Sequence, residues 1–194
     1  SELKTHTKVH LTGPGSHGSM TSTITAKGLA AENMKANLAR RGVKGLRDIM
    51  QEELRIKFPK IEIQGELELL HNAYDHFELR FSAIGEEMIF YSEDDRCHVY
   101  PAEAMRIVDA FPRYEDENRT FPMALGFPCS ISETFQIYNS RFRRDRVEIP
   151  GVVTPYFQAS ATAEVTDGMM EANYFFETLK DEIPASAFPA ITAR

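Results

Sequence analysis

Cys97 and His98 form an adjacent thiol–imidazole pair, and Cys129 is the second of only two cysteines. A thiol nucleophile needs a base within hydrogen-bond reach and surroundings that lower its pKa. The residues around Cys97 read as a strand, on which Cys97 and His98 face opposite ways. Cys129 lies among the apolar residues Phe127 and Ile131. Both cysteines are therefore expected to be structural, and their separation fits neither a zinc knuckle nor a redox CxxC pair. His6 and His10 have a spacing that chelates metal on a helix but is too wide on a strand. His71, Asp75 and His76 cluster at a turn and read as a solvated loop with Asx-type hydrogen bonds.

Glu66, Glu68 and Glu78 could meet across a hairpin, and paired carboxylates do general acid–base chemistry. A solvated sheet face is the simpler account. Arg141, Arg143, Arg144 and Arg146, broken by Phe142 and Asp145, are the one basic cluster suited to a phosphate or an acidic partner. The sequence contains no phosphate-cradling Gly-rich loop, HExxH or GxSxG. No catalytic residue, metal ligand or cofactor is assigned on this reading. The candidate binding residues are Lys4, His6, Lys8 and His10, together with Arg141, Arg143 and Arg144.

The elements that would position these residues follow from periodicity. Lys4 to Leu11 alternates Lys4, His6, Lys8 and His10 with Thr5, Thr7, Val9 and Leu11, which predicts a strand adding to a sheet edge. The run Gly15 to Met20 looks like a cloning junction. Residues 1–19 are accordingly read as a tag, a linker or a fused strand peptide, and 20–194 as a single α+β domain.

Thr21 to Lys27 suits a short strand ending at Gly28. A helix follows from Leu29 to Arg41, with Gly42 as its C-cap, and a second from Lys44 to Lys57, ended by Pro59. Ile61, Ile63, Leu67 and Leu69 alternate with acidic and polar residues, and Phe77, Leu79, Phe81 and Ala83 form the second arm of a hairpin. Shorter strands are predicted near Met88 to Tyr91 and Cys97 to Tyr100, and a helical turn within Pro101 to Phe111. Residues 115–118 read as an exposed polar loop. Phe127, Cys129, Ile131, Phe135 and Ile137 share one strand face, Val147 and Ile149 mark another strand, and Asp167-Gly168 joins a terminal hairpin. Pro184 to Ala190 is expected to close the chain by tucking Phe188 against the sheet. The fold class is α+β: predominantly antiparallel, sandwich-like sheets with two N-terminal helices on one face or end.

Composition narrows the partners. The 194 residues carry 22 Lys plus Arg against 29 Asp plus Glu, and a net charge of -7 argues against a nucleic-acid backbone. The longest apolar run is too short to span a bilayer.

The segments "TITAKG", "AAENMKANLARRG", "LRDIMQEELRIKFP", "IEIQGELELL", "RTFPMALGFPCSISETFQIY" and "YFFETLKDEIPASAFPAITAR", in that order, resemble the β-rich domain of unknown function that flanks the core of bacterial transglutaminase-like, papain-type proteins. The resemblance covers Met20 to Arg194. It implies a noncatalytic flanking module, in an envelope or secreted protein, because that family's Cys, His and Asp belong to the core and match no residue of this sequence.

The leading expectation is thus a binding or accessory module that contacts a peptide or partner domain through a sheet edge or concave face. The alternative is an apolar small-molecule site or enzyme between helices and sheet, lined by Phe77, Phe81, Phe135 and Tyr174. A deep enclosed cavity of roughly 300 Å³ or more with a convergent His and carboxylate would favour that alternative, and a filled core with an exposed strand edge the first.

Overall fold

The computed structural model describes residues 1–12, 17–92, 97–100, 102, 104–110, 121–125, 128–138 and 146–187. Alternation of buried and exposed residues carries the chain through β1 (Glu2–Thr12) and β2 (His17–Lys27), which pair antiparallel from Glu2↔Lys27 to Thr12↔His17. The division expected after Ser19 falls within β2, three residues from its start. Gly18 suits that close fit, since a Cβ there would stand 2.9 Å from Met88 Sδ and 3.1 Å from the His10 carbonyl oxygen.

Gly28 turns the chain with φ 60° into α1 (Leu29–Lys57). The two helices expected here are one element, interrupted only at Gly42, whose φ of 68° and ψ of 176° are not helical. The break falls where a C-cap was expected. Such a φ suits glycine, which has no Cβ to clash, and helix resumes without an intervening loop. Ala31, Leu46 and Met50 are its buried apolar residues.

β3 (Ile61–Ala73) and β4 (His76–Gly85) form the next hairpin, with register shifts between Gln64/Glu68 and Leu69/His71. These bulges take Leu69, expected on the buried face, to 39 % exposure. β5 (Phe90–Ser92) and β6 (Cys97–Val99) pair with each other and precede the short α2 (Met105–Ala110) and β7 (Met123–Ala124). Then come β8 (Ser130–Tyr138), β9 (Arg146–Val153), β10 (Phe157–Thr166), β11 (Met169–Thr178) and β12 (Glu182–Ile183), which pairs with β7. A 3-10 turn over Ala185–Ala187 follows, as the closing-turn expectation required; Phe188 lies outside the described residues, as do residues 115–118. Asp167 (φ 50°) and Gly168 (φ 79°) make the β10–β11 turn, both with the positive φ that a tight hairpin uses.

In place of a sandwich there is one eight-stranded sheet, ordered β3-β4-β2-β1-β8-β11-β10-β9, with α1 packed on one face, chiefly over β3, β2 and β4. It is mixed: β1 runs antiparallel to β2 but parallel to β8, from Glu2↔Ser130 to His10↔Tyr138. The predicted edge strand is thus a central one. Local alternation specifies a strand but not its neighbours, so the pairing of residues more than a hundred positions apart was not readable from it.

The outer edges are occupied differently. At β3, Gln51 of α1 donates to the Ile61 carbonyl at 2.8 Å and accepts from the Ile63 N–H at 2.7 Å, and Arg47 donates to the carbonyls of Ile63 and Gly65. Helix side chains thereby take backbone groups that an edge strand otherwise offers to a passing chain. At the opposite edge β9 contains Pro150, which has no N–H to give.

Candidate functional site

β1 projects its side chains to two unlike surroundings. Lys4, His6, Lys8 and His10 point to the face away from α1 and are exposed. Their neighbours across the ladders are polar: His6 stands beside Thr23 of β2 and Thr134 of β8, and Lys8 beside Thr21 and Gln136. A shallow cleft of about 550 Å³ on this face is lined by Lys4, His6, Thr25, Thr134, Glu171 and Asn173, among others.

Glu171 accepts from Gln136 at 2.9 Å and from Asn173 at 3.0 Å, while Thr134 donates to Asn173 at 2.8 Å. Hydrogen bonds from Gln136 and Asn173, helped by nearby His6, hold the Glu171 carboxyl below its usual range. His10 stacks on Tyr138 with ring centroids 4.5 Å apart. The four predicted residues are therefore brought to one face, with His10 engaged by an aromatic ring. Arg141, Arg143 and Arg144 lie outside the described residues.

The inward face of β1 is the less usual one. Thr5, Thr7 and Val9 are buried there, and beside the threonines lie Ser22 of β2 and Glu133 of β8. Four adjacent interior positions at the centre of the sheet are thus polar, with exposures of 9 %, 2 %, 2 % and 4 % for Thr5, Thr7, Ser22 and Glu133. Thr7 and Ser22 satisfy each other across the ladder, oxygen to oxygen 3.0 Å. Oε1 of Glu133 accepts the backbone N–H groups of Arg106 and Ile107 at 2.9 and 3.1 Å. Burial raises the Glu133 pKa above the ordinary carboxylate value, against the opposing pull of those two N–H groups and of Arg106 and Lys57. The Thr5 hydroxyl is buried and has no hydrogen-bond partner among the described residues.

Between this polar patch and α1 is a cavity of about 120 Å³. Met50, Leu54, Phe58 and Phe81 form its apolar wall, and Glu53, Lys57, Tyr100 and Arg106 also line it. Arg106 and Glu53 stand 3.6 Å apart as an ion pair. Burial raises the Tyr100 phenol. Of the aromatic lining expected for a small-molecule site, Phe81 and Phe135 are present. Phe77 instead belongs to the apolar core, and Tyr174 donates to the Ala102 carbonyl at 2.5 Å. The cavity is smaller than the roughly 300 Å³ expected of an enzyme-like pocket, and among the described residues its lining contains carboxylates but no histidine.

The other candidate clusters are accounted for locally. Glu68 pairs with Arg80, with Oε2 and Nη2 2.5 Å apart, rather than with another acid. His71 and His76 bring their rings to 4.6 Å, and His76 lies 3.7 Å from Glu78. Cys129 is a free thiol beside Thr178, whose hydroxyl lies 3.7 Å from the sulfur. Among the described residues no group of three or more His, Cys, Asp or Glu is placed to hold a metal ion, and no helix is long and apolar enough to cross a membrane.

Sequence reasoning passed over Glu133, Thr5, Thr7 and Ser22 as site residues. The signal was phase: Glu133 falls on the two-residue rhythm between Ile131 and Phe135, and the threonines fall on the rhythm of Val9 and Leu11. A polar residue in phase with an apolar face is either hydrogen-bonded in the interior or turned toward something there. No family model, curated protein or solved structure matches this chain.

Proposed function

We propose that this protein is a noncatalytic binding module that holds an extended strand at the centre of its sheet, in the slot between β2 and β8 now filled by β1. The slot takes the place of the outer edge in the sequence-based expectation. One observation carries the reading: β1 is paired along all 11 residues with β2 and along nine with β8, yet it brings few large side chains to the interior. Val9 is fully buried, Leu3 and Leu11 are partly so, and between them lie two threonines. Main-chain hydrogen bonds supply affinity when a strand is added to a sheet, and alternate side chains supply selectivity. The occupant that fits is a peptide or partner-domain strand, apolar at the positions of Leu3, Val9 and Leu11, small at Thr5 and Thr7, and basic on the open face near Glu171. This is the role of an accessory module, as the likeness to the flanking domain of transglutaminase-like proteins suggests.

The test is strand exchange. A protease site placed at residues 13–16 lets β1 be cut from the folded protein. A labelled peptide of residues 1–12 should then bind the cut protein one to one, and Val9→Asp in that peptide should abolish binding. A cut protein that never exchanges its strand, or a Val9→Asp peptide that competes as well as the parent, would overturn the reading.

A further inference from the structure

The cavity beneath α1 offers a second site, formed while β1 is in place because Thr5 and Thr7 of that strand line it. Its floor and roof differ in kind: Thr5, Thr7, Ser22 and Glu133 on the sheet side, Met50, Leu54 and Phe58 on the helix side. Thr5 and Glu133 are directly opposite each other in the parallel β1–β8 ladder. Of the two, the Thr5 hydroxyl has no hydrogen-bond partner among the described residues, whereas both backbone donors to Glu133 fall on Oε1. A buried hydroxyl without a partner costs free energy that any group able to bond it recovers.

We propose that this cavity binds a small neutral amphipathic molecule, a branched aliphatic alcohol of about five heavy atoms, whose hydroxyl bridges Thr5 and Glu133 and whose hydrocarbon faces Met50, Leu54 and Phe58. Size sets the length. An apolar cavity of about 150 Å³ is enough for benzene, and this one measures about 120 Å³. Charge sets the head group. Arg106 and Lys57 both act on Glu133, so its negative charge already has cationic company and an ammonium head group adds a like charge beside them. A hydroxyl accepts from Thr5 and donates to the carboxylate, which a purely apolar occupant does not.

Isobutanol is the probe, with isobutylammonium and isopentane as comparisons, titrated into the whole chain while the methyl signals of Ile24, Met50 and Leu54 are followed by NMR. Isobutanol is expected to shift these signals saturably and to bind more tightly than either comparison. Thr5→Val, which keeps the side chain's shape, should weaken isobutanol roughly 3- to 10-fold, the worth of one hydrogen bond, and leave isopentane unchanged. An unfolding curve for the variant confirms that it is folded, and Glu133→Gln, which keeps an acceptor, should retain part of the affinity. No saturable shift with isobutanol, tighter binding of isobutylammonium, or equal isobutanol affinity in Thr5→Val would each overturn the proposal.

Discussion

Strands β4 and β1 are both interior to the sheet and hydrogen-bonded on both sides, yet they are held in opposite ways. The inward face of β4 is Phe77, Leu79, Phe81 and Ala83, all at 6 % exposure or less. That of β1 centres on Thr5 and Thr7, with Val9 its single fully buried apolar side chain. β4 is anchored by side chains under α1, and β1 chiefly by its backbone. A strand anchored by side chains is specified by its own sequence. One anchored by its ladder can be exchanged for another of compatible pattern, because every strand carries the same N–H and C=O groups.

The sharpest way to break this contrast is to truncate the two anchors. Phe77→Ala should cost about 3–5 kcal/mol of stability, the range for a fully buried aromatic. Val9→Ala should cost less, about 1–3 kcal/mol, from the apolar surface of a smaller side chain. Both values come from chemical denaturation. Equal losses would mean that β1 is anchored as β4 is.

A smaller effect separates satisfied from unsatisfied polar groups on β1. Thr7→Val removes half of the buried Thr7–Ser22 bond and strands the Ser22 hydroxyl, so a loss of about 1–3 kcal/mol is expected. Adding Ser22→Ala should restore most of it, since both polar partners are then gone. The double-mutant cycle gives the coupling directly. Thr5→Val has the opposite sign: its hydroxyl has no partner among the described residues, and a gain of about 1 kcal/mol is expected from the unfolding midpoint.

The gentlest probe is pH. Glu133 has a raised pKa in the folded protein, chiefly through burial. Its contribution is complete below the ordinary carboxylate value, where the acid is protonated folded and unfolded, and is lost as pH rises through the raised folded value. Glu133→Gln does not titrate. Its melting temperature should therefore gain on the parent's as the pH is raised from about 4, the ordinary carboxylate value. A constant difference above that value would show that Glu133 is not destabilised by its burial.

Much of the fold was legible because alternation is a local signal. The hairpin at Asp167-Gly168 and the strand at Lys4 to Leu11 were each read from periodicity and turn residues, and the structure has them; the first hairpin was read with its turn over His71 to Asp75, whereas His71 to Ala73 are paired in β3 and the turn is shorter. The place of β1 was not legible. Its parallel register with β8 is set by contacts across 128 positions, from Glu2 to Ser130, and no window of sequence contains that. The helix shows the converse limit: Gly42 was read as a terminus, and its positive φ does interrupt the helical geometry, but helix resumes directly after it, with Leu46 and Met50 buried in the core. Of the candidate site, the exposed basic residues of β1 were visible, whereas Glu133 was hidden by its apolar neighbours Ile131 and Phe135.

Whether β1 is an exchangeable occupant of a slot is tested most directly by hydrogen exchange on the protein cut at residues 13–16, with and without excess free peptide 1–12. Removing the strand should expose amides of β2 and β8 together while β4 and β10 stay protected, and returning the peptide should restore both. Simultaneous loss of protection in β4 and β10, or unchanged protection of β2 and β8 without the peptide, would contradict the account.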